Sequence, residues 1–138
     1  MSEAWRQAIA KAEILLSEGE AAEDISGIAD AVSGFNVALK LAPRSEAPLE
    51  WAKTQSRLSA ALRALGARID DPMMLHLAMT ACDHALEVYR PDNTPEDWAR
   101  TVALLGAAQV VLGERDSDPA ARTWKALCKT TQRKIRRY

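Results

Sequence analysis

Three observations predict an all-α fold for this chain. The first is composition: nearly half of the 138 residues are hydrophobic, yet only seven are aromatic. Alanine, leucine, glutamate and arginine, all good helix formers, carry the sequence and leave little material for strands. The second is periodicity, since apolar residues recur at intervals of three and four, as one face of a helix requires. The third is an internal repeat. Pro48-Leu-Glu-Trp51-Ala52-Lys53-Thr54 returns 47 residues later as Pro95-Glu-Asp-Trp98-Ala99-Arg100-Thr101. The same offset carries Gly66 onto Gly113, Arg68 onto Arg115 and Asp71-Pro72 onto Asp118-Pro119. A period of that length denotes stacked supersecondary units, none of which can bury its apolar face alone.

Six helices follow in order. The first runs from about Glu3 to Ser17, with Trp5, Ile9, Ala12 and Leu16 inward, and Gly19 is expected to end it. The second, from Asp24 or Ser26 to Leu41, places Ile28, Ala31, Phe35 and Ala38 on one face and stops before Pro43. The third opens at Pro48, where a proline in the first turn costs no hydrogen bond, and is expected to close at Gly66 in a left-handed conformation. Helices four, five and six repeat this logic over Pro72 to Tyr89, Pro95 to Leu112 and Pro119 to about Arg136, with Gly113 expected to match Gly66. Asp71 and Asp118, each directly before a proline, read as N-caps. The helices pair into units 1–43, 44–91 and 92–138 of one domain. Trp51 and Trp98, repeated in register, are expected to be mostly buried between units.

The pattern resembles the tetratricopeptide repeat. That family's second helix carries alanine, an aromatic four residues later, then alanine and proline; here Ala31, Phe35, Ala38 and Pro43 fit, as do Ala78, Cys82, Ala85 and Pro91. The Leu-Gly step of its first helix appears as Leu105-Gly106, and as Leu58-Ser59 one unit earlier. The chain departs in two respects: the period is 47 rather than the family's 34, and Gln55 and Val102 stand where the tryptophan is usual, with Trp51 and Trp98 one turn earlier. It is similar to the long-period, Trp-Ala-x-Thr variety of the repeat. The resemblance implies a right-handed α-solenoid of three antiparallel helix hairpins whose first helices line a concave face.

Charge is unevenly distributed although the net formal charge is only -1. From Pro119 onward there are seven basic residues and no acid, whereas the preceding part holds eleven basic groups against nineteen acids. The last helix is thus a cationic element on an acidic body, suited to solvent and to its own C-terminal dipole or to docking an anionic partner. No apolar run reaches the roughly 18 residues of a membrane span. The first residues lack a basic stretch followed by an apolar one, so a cytoplasmic location is expected. Cys82 and Cys128 sit on apolar faces without CxxC spacing and read as buried thiols.

Signals for chemistry are absent from the residue pattern. His76 and His84 lie eight residues apart, too far along a helix to share a metal, and no phosphate loop, HExxH, nucleophile elbow or CxxC pair occurs. Asp70-Asp71 and Asp116-x-Asp118 are accounted for by capping. No enzyme activity, cofactor or metal is therefore expected. What recurs instead is a ladder: Arg6, Lys53 and Arg100 are each 47 residues apart, with Gln7, Thr54 and Thr101 one residue on. Equivalent positions on neighbouring helices lie roughly 10 Å apart. Under the resemblance, such cations line the groove and hold carboxylates of a peptide. The expected partner-binding residues are Arg6, Lys53, Thr54, Arg57, Arg100 and Thr101, and the expected partner is a segment of another protein, acidic in character. The alternative surface is the cationic last helix through Lys129, Arg133 and Arg137, for nucleic acid or another anionic surface. The acidity of the rest of the chain argues against nucleic acid. Self-association is left open.

Overall fold

The computed structural model describes residues 3–113. They form five helices and, among the described residues, no strand: α1 (Glu3–Ala21), α2 (Ile25–Leu41), α3 (Pro48–Ile69), α4 (Pro72–Leu86) and α5 (Pro95–Gly113). The expected sixth helix, with Cys128 and Asp118, lies outside the described residues. Each helix packs on the next in sequence, and the odd-numbered helices also meet, α1 against α3 and α3 against α5.

One continuous core joins all five elements. Trp5, Ile9 and Ala12 of α1 meet Ala31, Phe35 and Ala38 of α2, and the cluster runs on through Leu58 and Leu62 of α3, Leu75 and Ala78 of α4, and Ala108 and Leu112 of α5. The alanines let helices approach closely while Phe35, wholly enclosed, fills the space between them. A smaller cluster gathers Ala52, Ala85 and Tyr89, against which Trp51 and Trp98 lie mostly covered. The two repeated indoles are therefore core-edge residues with part of the ring in solvent. Trp51 is flanked by the His84 ring at 6.0 Å and by the Arg44 guanidinium at 5.3 Å, and Arg44 also pairs with Glu87 at 2.6 Å.

The turns within the hairpins correct the sequence-based boundaries. α1 continues through Gly19 to Ala21, and α3 through Gly66 to Ile69. Neither these glycines nor Gly113 has a positive φ. The left-handed residues are Glu23 (φ 52°) and Asp70 (φ 58°), which are themselves 47 apart. Each is followed by an aspartate whose N–H returns to a glycine carbonyl, Asp24 to Gly19 O at 2.8 Å and Asp71 to Gly66 O at 3.1 Å, the six-residue closure of a Schellman motif. Those aspartates then cap the next helix: Asp24 Oδ1 accepts from Ser26 N–H at 3.1 Å, and Asp71 Oδ1 from Met73 N–H at 2.9 Å.

The glycines recur for a different reason, which is close approach. A Cβ on Gly19 would sit 3.0 Å from the backbone nitrogen of Ile28, and one on Gly66 would sit 3.1 Å from that of Leu75. Ile28 and Leu75 are again 47 apart. The same hairpin contact is thus built twice, including in the first unit, whose sequence looks most divergent. At the other end α4 stops at Leu86, short of the expected Tyr89; Val88 and Tyr89 close a turn on Ala85 O, at 3.1 and 2.9 Å.

Candidate binding groove

α1, α3 and α5 place their N-terminal halves around a depression of about 380 Å³. Trp5 and Leu49 supply its apolar wall. Tyr89, just beyond α4, and Ser56 lie deep, and the charged rim comes from Glu50, Lys53 and Arg57 on α3 with Asp97 and Arg100 on α5. Residues three and four apart on a helix share a face, so Glu50, Lys53 and Arg57 project to the same side, as do Asp97 and Arg100.

Lys53 and Arg100, two rungs of the expected ladder, are exposed and line the depression together with Arg57. Arg6 is exposed on α1 but is not part of the lining. The Lys53 ammonium lies 5.9 Å from the centre of the Trp5 ring. Arg57 Nε stands 2.9 Å from Glu13 Oε1, and Arg100 reaches Asp97 at 3.6 Å. Such partly exposed pairs contribute only tenths of a kcal/mol, roughly up to 1.

Thr54 and Thr101 are corrected from contact residues to core. Both are 0% exposed. Thr54 Oγ1 donates to the Glu50 carbonyl at 2.8 Å and accepts the Trp5 indole N–H at 3.0 Å. Thr101 Oγ1 donates to the Asp97 carbonyl at 2.8 Å and lies 3.3 Å from Ser56 Oγ. The two threonines join neighbouring helices, whereas Gln7, the third member of the row, is exposed and reaches Glu3 of its own helix. Lys129, Arg133 and Arg137 lie outside the described residues.

Trp5, Tyr89, Glu50 and Asp97 also line the depression, although none of them is among the residues expected from the sequence. Trp5 is 6% exposed. In strict register it replaces Ala52, because Glu3-Ala-Trp-Arg6 and Glu50-Trp-Ala-Lys53 agree at their charged ends and exchange the two residues between. The indole thereby enters the position of a buried alanine. Tyr89 has no repeat-spaced counterpart to flag it. Its hydroxyl is pushed up to about 12, by burial first, with Asp97 and Glu50 adding to the shift and Arg57 and Arg100 opposing it. Glu50 and Asp97 did carry a signal, since Glu3, Glu50 and Asp97 fall at the repeat spacing.

Elsewhere, a second depression of about 360 Å³ lies between α2 and α4 with Leu58 and Leu62 of α3 in it, and its walls, Val32, Leu39, Met74 and Leu77, are apolar. Cys82 is buried, its thiol pushed up by burial and eased by a hydrogen bond with Ser59. His76 is buried too, and neither ring nitrogen meets a hydrogen-bond partner among the described residues. Burial lowers its pKa, with the charge of Asp83 acting the other way. Among the described residues no group of His, Cys, Asp and Glu side chains is placed to hold a metal ion, and no helix is long and apolar enough to cross a membrane. Comparison with protein-family models, with curated proteins and with solved structures gives no match to this chain.

Proposed function

We propose that this chain is a non-catalytic protein-interaction module, a tetratricopeptide-like solenoid of helix hairpins that grips a segment of a larger protein in the groove between α1, α3 and α5. The observation that carries this reading is the convergence of repeat-spaced cations, Lys53 and Arg100, with Arg57 on one depression formed by three separate helices. Helices that meet only at their odd-numbered members on this side leave a shared face open. Its aromatic side chains, Trp5 and Tyr89, are buried while its charged ones stand at the rim, as in interfaces with an aromatic centre and a polar edge. A small cytoplasmic adaptor or accessory subunit is the role such a groove serves.

The test begins with a photo-crosslinking residue at Leu49, which lines the groove and is exposed. It should capture a protein that the same residue at Lys40, on α2, does not. For that captured protein, Lys53→Glu with Arg100→Glu should lower affinity about tenfold, some 1.4 kcal/mol, with helix content unchanged. Arg133→Glu with Arg137→Glu should do much less. The opposite ranking, with a steep salt dependence, would move the binding surface to the cationic C-terminal segment and favour an anionic partner such as nucleic acid.

A further inference from the structure

The cation ladder has a companion of opposite sign. Each odd-numbered helix carries an acid three residues before its cation: Glu3 before Arg6, Glu50 before Lys53, Asp97 before Arg100. All three pairs hold the 47-residue register, although the residues between them do not; Ala-Trp in α1 stands against Trp-Ala in α3 and α5. The charged ends keep their places while the core residues beside them exchange. Stacking accounts for the threonines, which are fully covered, and for the partly buried tryptophans, whereas the charged side chains stand at the rim, where Arg100 also reaches Asp97 of its own helix at 3.6 Å.

Placed on the fold, the pairs become two rows. Three residues of helix rise roughly 4.5 Å, so the acids form one row and the cations a second, about one turn further along the helices. α1 neighbours α3 and α3 neighbours α5, so each row crosses from helix to helix at intervals of roughly 8–10 Å. Glu50, Lys53, Asp97 and Arg100 all border the same depression. The groove rim is therefore dipolar across its width. A purely acidic segment satisfies the cation row and is repelled by the other.

Resting on the groove reading above, we propose that the partner segment is a helix bearing both signs of charge in two rows, acids set against Lys53 and Arg100 and bases set against Glu50 and Asp97. The spacing suits a helix lying across α3 and α5 and reaching, beyond the depression, the Glu3 and Arg6 pair of α1. Seven residues of helix span roughly 10.5 Å, so like charges at i and i+7 meet successive units. Acids and bases offset by three or four residues form adjacent rows on one face. Opposite charges aligned this way fix orientation as well as partner, because a segment docked in reverse sets like charges together.

The test uses three synthetic helical peptides and the purified full chain, with affinity read by fluorescence anisotropy at physiological salt. One peptide carries Glu at i, i+7 and i+14 with Lys at i+4 and i+11, a second has the same residues scrambled, and a third replaces every Lys by Glu. The two-row peptide should bind about tenfold more tightly than either control. Glu50→Lys should weaken the two-row peptide and strengthen the all-acid one, and Glu50→Gln should shift both in the same directions by less, which guards against a folding defect in the reversal. The proposal is overturned if Glu50→Lys strengthens both peptides, or if the all-acid peptide binds as tightly as the two-row one. In that case loss of all-acid binding on Lys53→Glu with Arg100→Glu leaves the groove reading standing with an acidic partner. Failure of all three peptides to bind overturns both.

Discussion

Thr54 satisfies its hydroxyl twice without reaching water, donating one turn back to Glu50 O and accepting from Trp5 Nε1 across the α1–α3 contact. A threonine can do this because its side chain reaches its own helix's preceding carbonyl, and that local bond makes burial cheap. Its residue type suggests a surface position, and repeat spacing alone cannot separate a polar row facing a partner from one facing a neighbouring helix. Trp5→Phe removes the N–H together with part of the bicyclic ring, so it should cost about 2–3 kcal/mol, one buried hydrogen bond plus the space left behind, seen as a lower denaturant midpoint at unchanged slope. His76 offers a second check. Its folded pKa lies below its unfolded value of roughly 6.5, so the unfolded chain binds the additional proton as pH falls. Stability from this group is then complete above the unfolded pKa and declines as pH drops below it. Urea midpoints should fall as pH drops below the unfolded value, and His76→Phe should flatten that decline; an equal decline in the variant would assign it to other groups.

Gly19 and Gly66 operate at the level of the hairpin. A repeated glycine near a helix end reads as a left-handed terminus or as a point of close approach, and both demand a missing Cβ. The distinguishing clue lay four and five residues further on, where Asp70-Asp71 supplies one residue able to adopt the left-handed conformation and another able to cap. Helix existence and order were legible because apolar periodicity is a property of each segment by itself. The ends were not, because α1 and α3 stop where their partners' first turns meet them. Gly66→Ala gains up to about 1 kcal/mol of helix propensity but drives its Cβ against the Leu75 backbone, which cannot rotate away. The net effect should be a loss of about 1–2 kcal/mol by denaturant titration, as overpacking costs. A stabilised variant would show that α3 and α4 can separate freely.

At the scale of the whole molecule, the repeat that announced stacking also decides how the chain should unfold. Arrays coupled only through neighbouring units lose cooperativity when an interface is weak. Here the buried cluster from Trp5 to Leu112 is unbroken across α1 to α5, and Thr54 and Thr101 add hydrogen bonds between α1 and α3 and between α3 and α5. The groove depends on that continuity, since its two charged rows stay aligned only while the three odd-numbered helices remain in register. The rows themselves were visible in the sequence as spacings. Their convergence with Trp5 and Tyr89 was not, because a tyrosine beyond the end of α4 is brought there by packing alone. We therefore expect α1 and α5 to open together: amide hydrogen exchange at Ala12, Leu62 and Ala108 should report one common opening free energy, matching that from denaturant titration. A markedly lower value at Ala12 would mean that the first hairpin frays independently, and would leave only Glu50, Lys53, Asp97 and Arg100 as a permanently aligned binding surface.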